Sequence, residues 1–290
     1  MSVQPLTLRQ NFVAVTQLRR RLPFLIWIAL AVIFFVLLAV LFAEQLAPLS
    51  PNTQDLILRA KPPSAEHLLG TDQLGRDILS RLIFGARAAV IGPLLVAVGG
   101  FTIGIILGLS AGYLGGNTDS LIMRWVDLMY SLPGLLVTLV IVGIVGGGYP
   151  LAVLLLIIYF SPADTRIVRA EALKQRVLPY VEALRTLGIP RRQIIFRHLI
   201  VNVMPIIVSY IFLDFAFALV TLSALAYLGV GVPPGVPDWG RMLFENQTLI
   251  FANPWAAITP GIAIVVTAAS MNLIGNWLFE VFAHRTEVRM

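Results

Sequence analysis

The chain has 290 residues, of which 58% are hydrophobic and 12% charged, and its mean hydropathy is +0.87. Because soluble domains carry about 25% charged residues, this composition excludes a soluble globular protein and indicates an integral membrane protein embedded in a lipid bilayer. The absence of cysteine excludes disulfides and cysteine-ligated metals, and the net charge of +6 needs no nucleic-acid partner, since positive loops facing an anionic leaflet account for it.

The first predicted membrane span is the uncharged run 22–43, which follows Arg19, Arg20 and Arg21. It is long enough to cross a hydrocarbon core of about 30 Å, which takes about 20 residues. The arginines before it place the N-terminus in the cytoplasm. A cleaved signal peptide is the alternative, but the run exceeds the roughly 7–15 apolar residues of such peptides, and no A-x-A-like cleavage site follows it.

The segment 44–87 is polar, and its five acidic and five basic residues cancel, which fits a segment on the outer side of the membrane. Within it, Thr71 or Asp72 can cap a helix whose apolar stripe includes Leu74 and Ile78. This pattern favours an amphipathic helix at the membrane interface that leads into the second span.

The second predicted span, 88–112, carries glycine at every fourth position, at Gly100, Gly104, Gly108 and Gly112. Residues four apart share one face of a helix. A face of small residues lets two helix backbones approach closely. We therefore expect this span to pack deep inside the helix bundle.

The third predicted span, 121–145, contains two local features. Arg124 and Asp127 are three residues apart and can form an ion pair on one helix face. Pro133 and Gly134 should kink or break the helix, and such an interruption can act as a hinge in a transporter.

Three further apolar runs complete a prediction of six spans with both termini in the cytoplasm: 151–168, 205–228 and 255–279. The fourth span should end at the inner surface in a polar group of three residues: Asp164, Arg166 and Arg169. The segment LGVGVPPGVPDWGRML before the sixth span is too rich in proline and glycine for a regular helix, and its Trp239 suits a membrane interface.

Asp214 is the one acid predicted to lie well inside a span. An ionised acid at that depth costs about 2.5–3.5 kcal/mol on insertion scales, so it should face the bundle or a wet cavity. Two interpretations remain open: the side chain lines a transport pathway, or it ties the fifth span to a neighbouring helix by a hydrogen bond.

The polar stretch 180–205, here called the elbow, lies between the fourth and fifth spans. Its first part is predicted to be an amphipathic helix with apolar residues at helical spacing: Val181, Leu184 and Leu187. Gly188 suits the left-handed position that closes a helix, and Pro190 can open the next one. Between Arg166 and Arg197 eight basic residues oppose two acidic ones, so the elbow should face the cytoplasm.

Three separated segments resemble one family. Glu182 and Ala183, followed by Gly188, look like the EAA loop of ATP-binding-cassette (ABC) importer permeases. The run HLLGTDQLGRDILSRLIFGAR, residues 67–87, resembles the signature that precedes the permease core in dipeptide and oligopeptide importers. The loop before the last span is similar to theirs as well. The chain therefore resembles the dipeptide-permease C type of the peptide and nickel importer family.

This resemblance implies an all-α, type I ABC importer permease fold in the bacterial inner membrane. Residues 1–87 would form the N-terminal tail, the first helix and the outer amphipathic segment, and residues 88–290 a five-helix core with a coupling loop at about 169–204. The implied partners are a homologous second permease, two ATPase subunits and an extracytoplasmic substrate-binding protein. This chain would hold no cofactor, because ATP and Mg²⁺ bind to the ATPase subunits.

The same resemblance assigns roles to residues of this sequence. The helix that docks on the ATPase would carry the coupling residues: Glu182, Ala183, Arg185 and Gly188. Asp214 would be a candidate pathway residue. The chain also departs from the family pattern at five positions, which leaves the cargo open among peptides, nickel or other metal chelates, opines and glycosides: Leu184, Val201, Leu222, Asn276 and Phe279.

Other classes of protein fit less well. The chain cannot be the ATPase, because it has no G-x-x-x-x-G-K-[ST] loop and its only lysines are Lys61 and Lys174. An intramembrane enzyme would need paired acids, a Ser/His arrangement or a zinc motif, and the sequence suggests none. A secondary transporter that uses Asp214 is the alternative from a different class, although no internal repeat supports it.

Overall fold

A computed structural model describes residues 23–287 of the chain, with side chains up to residue 282. Regular structure in this part is helical. Nine helices carry the fold: α1 (Phe24–Leu41), α2 (Ile78–Leu114), α3 (Gly116–Tyr130), α4 (Gly134–Val145), α5 (Gly148–Gln175), α6 (Pro179–Thr186), α7 (Ile200–Tyr227), α8 (Trp239–Asn246) and α9 (Pro254–Glu287). The three arginines predicted to orient the first span lie outside the described residues.

The described residues contain five candidate membrane spans, or the predicted six if a bent pair of helices is counted as one span. Helices α1, α2, α5 and α9, together with the continuous run Arg191–Tyr227 that ends in α7, are each long and apolar enough to cross a membrane. Helices α3 and α4 form the sixth candidate and meet at a bend of 75°. The predicted break at Pro133 and Gly134 is confirmed, because α3 ends at Tyr130 and Pro133 precedes the first residue of α4.

The centre of the bundle is the contact between α2 and α5, the most extensive between any two helices of the described chain. Helix α7 packs on α2 and α9, and α1 packs on the outside of α2 and α9. Only Ile26 and Ala29 of α1 are buried, so most of its surface is left for lipid. The buried core is therefore formed by α2, α5, α7 and α9.

The start of α2 differs from the sequence prediction. Neither Thr71 nor Asp72 caps a helix, and residues 71–77 form no separate amphipathic helix before α2. Asp77 is the cap, since its Oδ2 accepts hydrogen bonds from the amide of Ser80 (2.8 Å) and from its hydroxyl (2.7 Å). Asp72 instead closes a turn by accepting from the amides of Leu74 and Arg76, which uses the carboxylate that a helix cap would need.

The predicted pair between Arg124 and Asp127 is also wrong. Asp127 accepts a hydrogen bond from Arg166 of α5 at 2.5 Å. One turn further along α5, Arg169 reaches Asp119 of α3 through two nitrogens. Both acids of α3 therefore pair with long arginine side chains on the helix that α3 packs against, and these pairs hold α3 to α5.

The segment before α9 is more regular than predicted. Trp239 is not at a membrane interface: it begins α8, is 3% exposed, and donates from Nε1 to the carbonyl of Leu82 in α2 at 2.8 Å. Asp238 caps α8 by accepting from the amide of Arg241. The proline- and glycine-rich part is thus confined to residues 228–237, and α8 packs into the bundle.

A buried charge network fixes α8 to α2 at the end of the bundle opposite the elbow. Glu245 of α8 accepts from Arg76 (2.7 Å), Arg81 (3.2 Å) and Arg241 (3.2 Å). Arg76 also donates to Asp72 at 2.6 Å. Since Arg81 is fully buried, its charge requires these carboxylates.

Glu245 should make the stability of the protein acid-sensitive. Burial alone would raise the pKa of Glu245, but Arg76, Arg81 and Arg241 together lower it below its ordinary value of 4.5. The unfolded chain therefore binds this proton more readily, so the stabilisation is present above the ordinary pKa and is lost as the pH falls through the lowered one. We expect Glu245→Gln to cost about 1–3 kcal/mol at neutral pH and to melt like the unmodified protein in acid.

Thermal unfolding of the purified protein in detergent, followed from pH 7 to pH 3, tests this expectation. Glu66→Gln is the control, because Glu66 is exposed on the same side of the bundle. A difference in melting temperature between Glu245→Gln and the unmodified protein that stays constant over the whole range would contradict the assignment.

Candidate functional site

The elbow has the predicted arrangement of a helix, a corner and a second helix. Helix α6 ends at Thr186, and Gly188 follows with a left-handed backbone (φ +73°). Pro190 then precedes a helical segment that starts at Arg191, passes through a π-helical turn at Ile194–Leu199 and continues into α7. A rigid connection therefore runs from the corner into a membrane span.

One face of α6 is buried and the other is exposed. Val181 is fully buried and Leu184 partly buried, in a cluster with Ile194 and Leu199 from the second arm of the elbow. Leu187 does not join them and is 75% exposed, because it follows the last residue of α6 and helical spacing no longer applies to it. The cluster fixes the angle between the two arms.

The four predicted coupling residues lie on the exposed part of the elbow, but they do not all point freely outward. Glu182, Ala183 and Gly188 are exposed, and a methyl group at position 188 would meet no atom within 4 Å. Arg185 turns back to α2: its Nε donates to the hydroxyl of Tyr113 (3.2 Å), and its guanidinium lies 5.0 Å from that ring. Arg185 therefore links the elbow to the bundle.

A second link to the same end of α2 lies just before the elbow, where the chain leaves α5. Arg176, just after α5, donates to the carbonyl of Gly112 at 3.2 Å. Tyr180 donates to the side chain of Gln175 at 3.0 Å, which holds the start of α6 against the end of α5. A force on α6 would thus act on α2 and α5 together.

The four glycines of α2 lie directly against α5. A methyl group at Gly104 would lie 2.4 Å from Cβ of Asp164, and one at Gly112 would lie 2.6 Å from Cβ of Ala172. At Gly100 and Gly108 the nearest atoms, a side-chain oxygen of Asp164 and a backbone oxygen of α5, would be 2.8 and 2.7 Å away. Such contacts are too short for any side chain, so glycine allows the close approach of the two helices.

Asp214 has an acidic neighbour that sequence reasoning missed. Asp164 was expected at the inner surface, but it is fully buried near the middle of α5, and its carboxyl group interacts with that of Asp214. The end of the fourth span was predicted too early in the chain, because the apolar run stops at residue 168, whereas α5 continues to Gln175. The one feature of the sequence that could have indicated this buried position of Asp164 is the glycine face of α2, because it leaves room for a polar side chain on the facing helix.

Asp214 also borders a cavity of about 580 Å³ between the α3–α4 bend, α5 and α7. Its wall includes Pro133 and Gly134 at the bend. The remaining lining is largely apolar and includes five aromatic side chains: Tyr130, Tyr159, Phe160, Tyr210 and Phe217. The elbow and this cavity are therefore the two candidate functional regions of the described residues.

Comparison with known proteins identifies the family. Residues 104–288 match the model of the binding-protein-dependent transport system inner membrane component. The chain belongs to this family. It is 35% identical to the glutathione transport system permease protein GsiD of Pectobacterium atrosepticum, over 87% of this chain and 85% of that protein. It is 38% identical to the di/tripeptide transport system permease protein DppC of Pseudomonas aeruginosa, over 86% of each.

The fold agrees with this family. The inward-facing MetNI methionine ABC transporter contains a chain that matches this permease with a TM-score of 0.58 and 18% identity, over 71% of this chain and 97% of that one. The predicted type I ABC importer permease fold is therefore confirmed. The permease is a multi-pass inner membrane component, and its relatives are membrane subunits of transporters.

The departures from the family pattern are accommodated by local packing. Leu222 is 5% exposed in an apolar cluster with Val96 and Leu156. Asn276 donates to the side chain of Asn272 at 2.8 Å. The ring of Phe279 packs edge-on against Tyr210, with centroids 6.2 Å apart. The other two departures belong to the elbow region, where Leu184 is partly buried and Val201 is 65% exposed.

The glycine face of the permease can be tested with a matched pair of substitutions. Gly104→Ala places a methyl group against α5 and should destabilise the protein by about 1–3 kcal/mol, the usual cost of overpacking. Gly143→Ala in α4 meets no atom within 4 Å and should be neutral or slightly stabilising, because alanine is the better helix former. The melting temperatures of the two variants in detergent measure the difference, and equal values would show that the close approach contributes nothing.

Proposed function

We propose that this permease forms half of the translocation pathway of an ATP-driven importer of di- and oligopeptides. Its partners would be a homologous second permease, two ATPase subunits that bind ATP and Mg²⁺, and an extracytoplasmic substrate-binding protein. The observation that carries the proposal is the elbow, which presents an exposed helical face and is tied by Arg185 to α2 and by Tyr180 to α5.

This arrangement supports coupling to a separate ATPase. In the proposed mechanism Glu182 and Ala183 contact the ATPase, and Gly188 sets the corner that keeps α6 at the membrane surface. Movement of the ATPase subunits would push α6, and the links to Tyr113 and Gly112 would carry that movement into the bundle. Alternating access then follows as a rigid-body change between two arrangements of packed helices.

Peptides are the favoured cargo because the relatives bear the names of glutathione, di/tripeptide, D,D-dipeptide and oligopeptide transport permeases. Nickel or other metal chelates, opines and glycosides remain alternatives within the same family. A secondary transporter that uses Asp214 is disfavoured, since family membership points to partner ATPases as the energy source.

We also propose an orientation and a division of the chain. The elbow would lie on the cytoplasmic side, with both termini on that side too, and the excess of basic residues around the elbow supports this orientation. Residues 88–290 would be the five-helix core with the coupling loop at about 169–204, and residues 1–87 an N-terminal unit. The peripheral position of α1 supports this division.

The orientation predicts a labelling pattern. Because the chain lacks cysteine, Ser64→Cys and Gln193→Cys each introduce a single thiol. In intact spheroplasts a membrane-impermeant maleimide should label position 64 directly and position 193 only after permeabilisation. The reverse pattern would overturn the orientation, and detergent-solubilised samples of both variants serve as the control for reactivity.

The coupling role predicts the effect of two elbow variants. Reconstituted with its partners in proteoliposomes, the permease should support dipeptide uptake that requires both ATP and the binding protein. Gly188→Val forces a left-handed backbone on a β-branched residue, which costs about 1 kcal/mol or more, and should lower uptake several-fold while the ATPase continues to turn over. Glu182→Arg reverses a charge on the exposed face and should do the same.

Gly235→Val is the matched control for the corner. Gly235 also has a positive φ (+89°) and open space around its Cα, but it lies in the loop before α8, far from the elbow in the chain. The proposal fails if Gly188→Val and Glu182→Arg assemble and transport normally, or if Gly235→Val uncouples as strongly as Gly188→Val.

A further inference from the structure

A buried pair of carboxyl groups lies between α5 and α7. Neither oxygen of Asp164 accepts a hydrogen bond from an amide, hydroxyl or guanidinium among residues 23–282, nor does Oδ2 of its neighbour Asp214. The hydroxyls that flank Asp164 in α5 are already used, because Ser161 and Thr165 donate to backbone carbonyls of their own helix. Two adjacent carboxylates can both stay ionised in such surroundings only if a cation lies beside them; otherwise one of them binds a proton.

The cavity beside this pair lies at membrane depth. Asp214 is near the middle of α7, and the cavity that it borders is also lined by Pro133 and Gly134, where α3 and α4 are broken. Non-helical backbone at such a depth is tolerated where it is buried in protein or lines a water-filled cavity. An ionisable side chain within a span has the same requirement. Both features meet on one cavity, which indicates a hydrated compartment with negative charge.

The other walls of the cavity suit a cation. Five aromatic side chains line it, and the faces of aromatic rings attract ammonium and guanidinium groups. One of these rings, Tyr130, already has the guanidinium of Arg166 at 4.3 Å. Arg166 is itself paired with Asp127, so it does not neutralise the two buried acids.

We propose that this cavity binds a cationic group of the cargo, an ammonium or a guanidinium, during its passage through the permease. Asp214 contacts the cation from the cavity wall. Asp164 is a positioning residue behind it, held in the space that Gly100 and Gly104 leave against α2. The proposal rests on the proposed transport function and adds a selectivity for positive charge within the membrane, separate from the choice made by the binding protein.

The first experiment measures the charge of the cavity without any cargo. Thr221 lines the cavity and lies on α7 about two helical turns after Asp214. Thr221→Cys therefore gives a single thiol of similar size near the acid pair. In the assembled transporter, its modification rates by a cationic trimethylammonium-ethyl and an anionic sulfonatoethyl methanethiosulfonate are compared. The cation-to-anion ratio should exceed that of Ser64→Cys by about tenfold or more, as expected for a nearby charge that water screens poorly.

Removal of the acids provides the decisive comparison. Asp214→Asn should bring the ratio at Thr221→Cys down to that of Ser64→Cys, and Asp164→Asn should lower it in part. Neither change should alter the ratio at Ser64→Cys, which lies in the exposed outer segment. The proposal is wrong if Thr221→Cys does not react with either reagent, or if its charge preference is absent or survives both replacements.

The second experiment uses matched cargo in the complete, reconstituted importer. Uptake of Ala-Lys is compared with uptake of the same dipeptide acetylated on the lysine side chain, with binding of each to the substrate-binding protein measured separately. After correction for that binding, the unmodified permease should favour Ala-Lys severalfold, and Asp214→Asn should abolish the preference while the complex still assembles. An unchanged preference in Asp214→Asn would overturn the proposal.

The two experiments separate failure of this proposal from failure of the proposed function. If no dipeptide is taken up, peptide import is wrong, and the modification rates still decide whether the cavity selects cations. If dipeptides are taken up without regard to charge and Thr221→Cys shows no charge preference, the importer stands and the cation site does not.

Discussion

The close contact between α2 and α5 is the constraint on which the rest of this permease depends. Glycine at every fourth position of α2 brings the two backbones together, and the two helices share the most extensive contact of the described chain. At one end of it the elbow is attached through Tyr113 and Gly112. Near the middle of this contact, Gly100 leaves space for the carboxyl group of Asp164, which a larger residue at position 100 would exclude.

This geometry places the two candidate functional regions on one rigid unit. The elbow contacts the end of the α2–α5 pair, and the acid pair lies part-way along it. In the proposed transport cycle a displacement of α6 therefore reaches the cavity without passing through a flexible loop. Helix α3 is tied to the same pair of helices, because Asp119 and Asp127 both bind arginines of α5.

Features that depend on local sequence were predictable, and features that depend on tertiary neighbours were not. Glycine and proline chemistry located the elbow corner at Gly188 and the break at Pro133, since backbone preferences act within a few residues. The partner of Asp127, the burial of Trp239 and the capping role of Asp77 were predicted wrongly. The cap at Asp77 is a local interaction with Ser80, and the sequence prediction chose the wrong residue for it. The partner of Asp127 and the burial of Trp239 depend on packing against helices that are distant in the chain. Asp164 was missed for the same reason, because its surroundings are created by a glycine face some sixty residues earlier in the chain.

The bent third span has a consequence for the surrounding bilayer. Helix α4 has 12 residues and is therefore only about 18 Å long, well short of the roughly 30 Å thickness of a hydrocarbon core. It is only the second part of a span that begins with α3, and its last residues, Ile144 and Val145, are largely exposed in the single chain. A span bent by 75° covers less distance along the membrane normal than a straight helix of the same number of residues. We therefore expect the angle of the bend to respond to the thickness of the bilayer.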